Sequence, residues 1–195
     1  LELEKYFLEK GISEGSFKEF SEQKNISRTS LNYYFKNKDY IYNKILEKII
    51  KAFEKDFNNL IEDETKSYSE RIELFLDAYF KITRKNIKLY PYIQHLNQIE
   101  KNLKNKNAES VDEVIKTIKK ISDKFVDVTN EEIKKGNIEL EYPKNYLFLI
   151  VSICLFPFTT PYIIESLINI SMDEFYEKHH EYTKYILLKE IKVKK

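Results

Sequence analysis

The chain is poor in the residues that interrupt helices. Of its 195 residues, three are glycine and four are proline, where average usage would supply about 14 and 10. Sheets and tight turns need more such punctuation, so long helices joined by few loops are expected. Tryptophan is absent and there is one cysteine. A lone cysteine excludes an internal disulfide framework and suits a reducing, cytoplasmic setting, and the apolar neighbours of Cys154 mark it as a packing residue. The opening Leu1-Glu2-Leu3-Glu4 lacks both the basic start and the apolar stretch of a secretory signal, so nothing here directs export. A glycine-rich phosphate loop, a Gly-x-Ser-x-Gly elbow and a cysteine pair are missing, and the carboxylates are scattered over solvated helical faces. No catalytic residue and no cofactor is therefore expected.

With 33 Lys plus Arg against 32 Asp plus Glu, the net charge of +1 does not by itself call for a polyanionic partner. Its distribution is uneven. Residues 1–23 hold six acids (Glu2, Glu4, Glu9, Glu14, Glu19, Glu22) against three lysines, whereas Lys24 to Lys38 hold four bases (Lys24, Arg28, Lys36, Lys38) and no acid. Positive potential is confined to one short segment.

What is present in abundance is helix signal. Ser followed three residues later by Glu, the pattern of a reciprocal helix start, occurs at Ser16/Glu19, Ser67/Glu70, Ser110/Glu113 and Ser171/Glu174. Val111, Val114, Ile115, Ile118, Ile121, Phe125 and Val128 recur at three and four, one face of a helix. Nine helices are expected, at 2–10, 17–23, 28–35, 38–62, 69–88, 91–103, 109–134, 144–167 and 172–192. The polar run 101–107 separates two of them, and Gly136 supplies a left-handed residue before Pro143 opens the next. The fold class is all-α, with short helices crowding the first 38 residues and long ones following. That change of grain divides the chain into a helix-turn-helix domain, 1–46, and a larger helical bundle, 47–195, with the boundary inside the helix beginning at Lys38.

Between Ser16 and Lys38, two short helices are separated by a turn at Asn25, a residue that tolerates positive φ. Phe17, Phe20, Ile26, Leu31 and Phe35 have the spacing of a miniature core, and Ser21 is small where the second helix must cross. Ser27 caps the next helix, leaving Arg28, Thr29 and Ser30 at its exposed first turn, where a recognition helix places base-reading groups. Arg28 has the fork for guanine; Thr29, Ser30 and Asn32 offer hydroxyls and an amide; Tyr33 and Tyr34 suit bases or phosphates. Ser16 and Lys38 stand at helix starts that favour a phosphate.

Gly11, Phe17, Phe20, Ile26-Ser27, Leu31, Tyr33-Tyr34-Phe35, Lys38 and Asp39 carry a resemblance, residue by residue over positions 7–46, to the N-terminal signature of the tetracycline-repressor-like (TetR/AcrR) family. Beyond position 46 the resemblance is one of architecture. It implies a homodimeric regulator of transcription, usually a repressor, that binds a near-palindromic operator in double-stranded DNA and is released by a small-molecule effector. Three positions depart from the pattern: Asn32 stands for a phosphate-touching Tyr, Asn25 for the turn Gly and Ser21 for Ala. The basic lead-in common in the family does not precede the first helix, and since the chain opens on Leu rather than Met, any DNA-contacting arm is expected to lie before Leu1.

Asn145 to Ile164 runs twenty residues without a charge, enough to cross a bilayer. Pro157, Pro161, Ser152, Thr159 and Thr160 argue against a span, and no membrane partner is expected. The resemblance places this helix in a dimer interface instead, with Phe156 and Tyr162 on it. In the last helix, Phe175, Tyr176, His179, Thr183, Ile186 and Leu187 form a stripe that suits a four-helix intersubunit core. His179-His180 with Glu177 and Glu181 do not make a metal site, because adjacent histidines face different ways. For an apolar or aromatic effector, the middle helices offer Phe75, Tyr79 and Phe125 with the polar Arg84, Gln94, His95 and Gln98. The rival readings are a helical interaction module that binds a protein or membrane surface, and an enzyme inside the bundle.

Overall fold

The computed structural model describes residues 2–99 and 108–193, and the described residues form ten α-helices. They are α1 (Glu2–Glu14), α2 (Phe17–Lys24), α3 (Arg28–Phe35), α4 (Lys38–Ile61), α5 (Tyr68–Lys85), α6 (Tyr90–Ile99), α7 (Ala108–Lys134), α8 (Pro143–Thr159), α9 (Pro161–Ile168) and α10 (Met172–Glu190). The class is all-α. Two strands of two residues each, β1 (Ile138–Glu139) and β2 (Lys192–Val193), pair antiparallel, too short for any alternation to show in the sequence.

Chain packing divides into two units, one of Leu1–Ala52 with Asn86–Ile118 and one of Phe53–Lys85 with Lys119–Lys195. The first has an aromatic core. Phe7 is fully buried and meets Tyr6, Phe17 and Tyr42 edge-on at 5.3–5.6 Å, a favoured arrangement for ring quadrupoles. Tyr42 donates to the Phe7 carbonyl at 3.0 Å and stacks on Tyr92 at 5.1 Å. Gly15 allows this closeness, because a Cβ there would sit 2.7 Å from the Phe7 ring. Gly11, at φ +79°, breaks the regular helix inside α1, beside the expected end at residue 10.

The second unit packs Phe57, Phe75 and Phe125 with Ile61, Ile72, Leu76, Ile150, Cys154 and Leu187, all 3% exposed or less. Burial pushes the Cys154 thiol up to about 12, so it stays protonated and packs as a small hydrophobe. At Ser67 the reciprocal helix start is complete: Ser67 donates its N–H to Glu70 at 2.8 Å and accepts from the Glu70 N–H at 3.3 Å. At Ser16 and Ser171 the serine caps its helix, but Glu19 and Glu174 turn to other partners. Ser110 lies inside α7 rather than before it, and its side chain is outside the described residues.

The helix expected over 144–167 is two helices, α8 and α9, bent by 87°. The cause is local. The residue before a proline is pushed out of the α region, and Thr160 sits at φ −136°, ψ 46° before Pro161. Pro157 is tolerated inside α8. It has no N–H for the Ile153 carbonyl four residues back, and His179 of α10 supplies the missing donor, its Nε2 lying 3.0 Å from that oxygen. No single described helix is long and apolar enough to cross a membrane, although the bent α8–α9 pair passes together by length and composition.

Candidate nucleic-acid interface

Ser16, extended at φ −141°, accepts from the Glu19 N–H at 3.0 Å and so starts α2. Its own N–H goes to the Tyr6 hydroxyl at 3.2 Å, and that hydroxyl donates to Glu19 at 2.7 Å. Three residues thus lock α1 to the start of α2. Asn25 takes the left-handed conformation, φ 51° and ψ 43°, and ends α2 with its N–H on the Ser21 carbonyl, the role a glycine plays most easily. Ser27 then caps α3, accepting from the Ser30 N–H at 3.5 Å. Phe20 and Leu31 hold the two helices together, with Phe17 and Phe35 packed against them. Ile26 is 42% exposed and lies outside this core: its place in the turn turns it to solvent.

The opposite side of α3 is open. Arg28, Thr29, Ser30, Asn32, Tyr33 and Tyr34 are all exposed, and the two tyrosines, 80% and 70% exposed, meet edge-on at 5.3 Å. Nothing in the unit's own core uses these groups. The nearby acids are largely committed elsewhere: Glu2 to Lys24 at 3.2 Å, Glu19 to Lys10 at 3.0 Å, Glu4 to Lys48 at 2.6 Å. Hydrogen bonds from Tyr6 and Lys10 hold the Glu19 carboxyl below its ordinary range. With Lys24 paired to Glu2, the other bases of the acid-free segment are Arg28, Lys36 and Lys38. Lys36 was not among the expected contacts. It follows α3 at φ 53° with its ammonium 5.7 Å from the Tyr40 ring, and the acid-free run of the sequence already contained it. Asn37 accepts from the Tyr40 N–H at 2.8 Å and so caps the helix that begins at Lys38.

The other expected sites fare unevenly. In the second unit, Phe75 and Phe125 pack at 5.9 Å and Tyr79 meets Phe53 at 5.8 Å, an apolar cluster, but Arg84 turns to surface carboxylates, 3.4 Å from Asp173. Gln94 belongs to the first unit, and His95 and Gln98 lie outside the residues whose side chains are described. Of the stripe expected on α10, three members are taken up within the chain. Tyr176, Thr183 and Leu187 are 5% exposed or less within their own chain: Tyr176 stacks on Phe158 at 4.3 Å and the Leu187 carbonyl accepts from Tyr146 at 2.9 Å. His179 serves the Pro157 gap, stacked on Phe175 at 4.8 Å, and burial lowers its pKa from 6.5 despite the Ile153 bond. Ile186 is partly buried. The stripe packs on α5 and α8 of the same chain because those helices present the matching apolar faces.

Phe156 and Tyr162 are exposed, and they are not alone. Phe148, Phe156, Tyr162, Leu167, Tyr182 and Tyr185 are between 53% and 80% exposed on α8, α9 and α10, which pack on one another. The uncharged run from Asn145 to Ile164 was the signal. Among the described residues no group of His, Cys, Asp or Glu gathers as a metal site.

The chain matches no protein-family model and no curated protein. Solved structures are similar to it along nearly its whole length. A TetR/AcrR-family transcriptional regulator from Thermobifida fusca shares 16% identity over 94% of this chain and 93% of its own, with a TM-score of 0.68. The ketosteroid regulator KstR2 of Mycobacterium tuberculosis shares 15% over 99% and 94%, at 0.67. FadR of Bacillus subtilis, solved in complex with stearoyl-CoA, shares 16% over 92% of each, at 0.59. The fold of this chain is therefore that of the TetR/AcrR regulators.

Proposed function

We propose that the chain is a sequence-specific DNA-binding regulator of transcription, a repressor released by a small effector, which works as a homodimer. The observation that carries this reading is the open side of α3. Six base- or phosphate-seeking side chains stand exposed on a capped helix that the first unit's core holds from behind. In the major groove, Arg28 takes guanine and the hydroxyls and amide of Thr29, Ser30 and Asn32 read neighbouring edges, while Ser16, Ser27, Tyr33, Tyr34 and Lys38 grip the backbone. A polar, positively charged face suits a polyanion better than a protein partner, whose contact core would be depleted in charge.

The dimer forms through the exposed residues of α8, α9 and α10. So many large apolar side chains left open on three packed helices exceed what a monomer leaves to water. Two copies then place their third helices roughly 34–36 Å apart, in successive major grooves. For the effector, the aromatic cluster of Phe75, Tyr79 and Phe125 favours a ligand with an apolar body, and the stearoyl-CoA held by the similar FadR is of that kind. An effector that prefers a state with differently spaced heads releases DNA by population shift.

Selection of binding sites from a random duplex pool tests the reading. Recovery of a near-palindrome is expected. Failure to enrich any sequence at low salt, with liposomes or a protein retained instead, would overturn it in favour of an interaction module.

A further inference from the structure

The core behind the DNA-facing helices contains two residues from far along the chain, Leu89 and Tyr92. They arrive on the 3-10 turn at Ile87–Leu89 and on the start of α6. Lys88 ties this segment to α1 by donating to the Glu9 carbonyl. Tyr92 ties it to α4. Its ring is fully buried and stacks on Tyr42 at 5.1 Å, with the planes 27° apart. Its hydroxyl lies 2.7 Å from the Asn43 side-chain oxygen and 3.1 Å from the Asp39 carbonyl, and donates its one proton between them.

Asp39 and Asn43 are one helical turn apart, so the hydroxyl spans the first turn of α4, the turn that carries Lys38. The first turn is the weakest part of a helix, because its leading N–H groups have no acceptor within the helix. Asn37 caps it from outside through the Tyr40 N–H, and Tyr92 holds it from within. Asn43 is 2% exposed, and its oxygen would be costly to leave there unpaired. A Phe at 92 and a Leu at 43 would fill the same space with no polar atom to satisfy. What the polar pair adds is a fixed register, since a hydroxyl meets an amide and a carbonyl in one arrangement whereas apolar faces can slide. Burial, with the Asp39 charge, raises the Tyr92 hydroxyl above its ordinary range, so it remains a donor.

We propose that Tyr92 is a positioning residue for the DNA-binding face: through Asn43 and the Asp39 carbonyl it holds the first turn of α4, and with it Lys38, in place for a phosphate. The role rests on the DNA-binding reading above. Being fully buried, Tyr92 touches no DNA itself. It raises the fraction of molecules in which that turn is formed, and apparent affinity falls with that fraction.

Hydrogen exchange on the DNA-free full chain tests the bond, and binding isotherms test its use. Tyr92→Phe keeps the stacked ring and removes the hydroxyl. The Tyr42 and Asn43 amides should then exchange roughly fivefold faster, the loss of about one neutral hydrogen bond, with α10 unchanged. Affinity should fall by a similar factor for every duplex, base preference should stay the same, and the drop should vanish in a Lys38→Ala background. Tyr92→Phe with Asn43→Leu removes both buried partners, so stability should recover while affinity stays low. Unchanged exchange, unchanged affinity in Tyr92→Phe, an equal drop with and without Lys38, or affinity that recovers with stability would each overturn this role alone. A wild-type chain that binds no duplex would overturn it together with the DNA-binding reading.

Discussion

The side of α3 and the face of α8 to α10 both leave aromatic rings in water, yet they differ in what surrounds the rings. Around Tyr33 and Tyr34 stand Arg28, Lys36, two hydroxyls and an amide, with no acid from Lys24 to Lys38. Around Phe148 and Phe156 there is no charge at all from Asn145 to Ile164. An exposed ring among cations and hydrogen-bonding groups fits a phosphate backbone and base edges. An exposed ring among aliphatic neighbours loses water only by meeting another apolar surface. The neighbours, more than the rings, decide the partner.

If the two faces are separate devices, each can be damaged alone. The largest effect is expected from Phe7→Ala, which empties the first unit's core at a cost of about 3–5 kcal/mol. Hydrogen exchange should then rise across α1 to α3 and stay unchanged in α8 and α10; equal loosening of both would break the comparison. Phe156→Asp comes next. A charge placed in the apolar face should weaken self-association by about 2 kcal/mol, roughly 30-fold, in sedimentation, with the helical content of the head unaltered.

Arg28→Ala should leave self-association intact and relax base preference at one position by about 1–3 kcal/mol. Lys38→Ala should weaken all duplexes alike and flatten the salt dependence by about one unit of slope. Both follow from binding isotherms on matched and mismatched sites. His179→Ala, behind the apolar face, should cost about 1 kcal/mol, low in the range for an orphaned carbonyl because the site is partly open. In a Pro157→Ala background the cost should shrink, since an alanine there brings its own N–H to the Ile153 carbonyl; an equal cost in both backgrounds would exclude the proposed coupling.

The smallest expected effect is one of direction. Burial works against the charge of Glu132, but its bonds from Asn137 and Arg71 outweigh this and hold its carboxyl below 4.5. A depressed carboxylate stabilises the fold fully above the unfolded value and ceases to do so as pH falls through the folded one. Stability should therefore fall as pH drops below about 4.5, and this loss should resist salt. The surface pair Lys10–Glu19, with side chains 41% and 37% exposed, should fade as salt rises. Acid unfolding at two ionic strengths separates the two.

Much of the head could be read from residues alone, because its signals are local. A serine that caps its own helix, an asparagine that accepts positive φ and an apolar spacing of three and four act within a few residues of themselves. Ser16, Ser27, Asn25, Phe20 and Leu31 therefore stand where they were expected. Ile26 does not, since whether a turn residue faces the core depends on the crossing of α2 and α3. The break at Thr160 is legible in Pro161, although the apolar run continues across it. Arg71 left a fainter mark, a charge on the same helical stripe as Tyr68, Ile72 and Phe75.

By itself the sequence determined the helical class, the caps and the confinement of positive charge to Lys24–Lys38, for each of these follows from composition or from neighbours in the chain. Only the tertiary structure decided which side of α10 is consumed by its own chain, that His179 completes the bond Pro157 cannot make, and that Arg71 pairs with Glu132. Those outcomes join residues 22, 26 and 61 positions apart. A helical stripe states that a face will be buried, but the surface that buries it is set by how the helices pack.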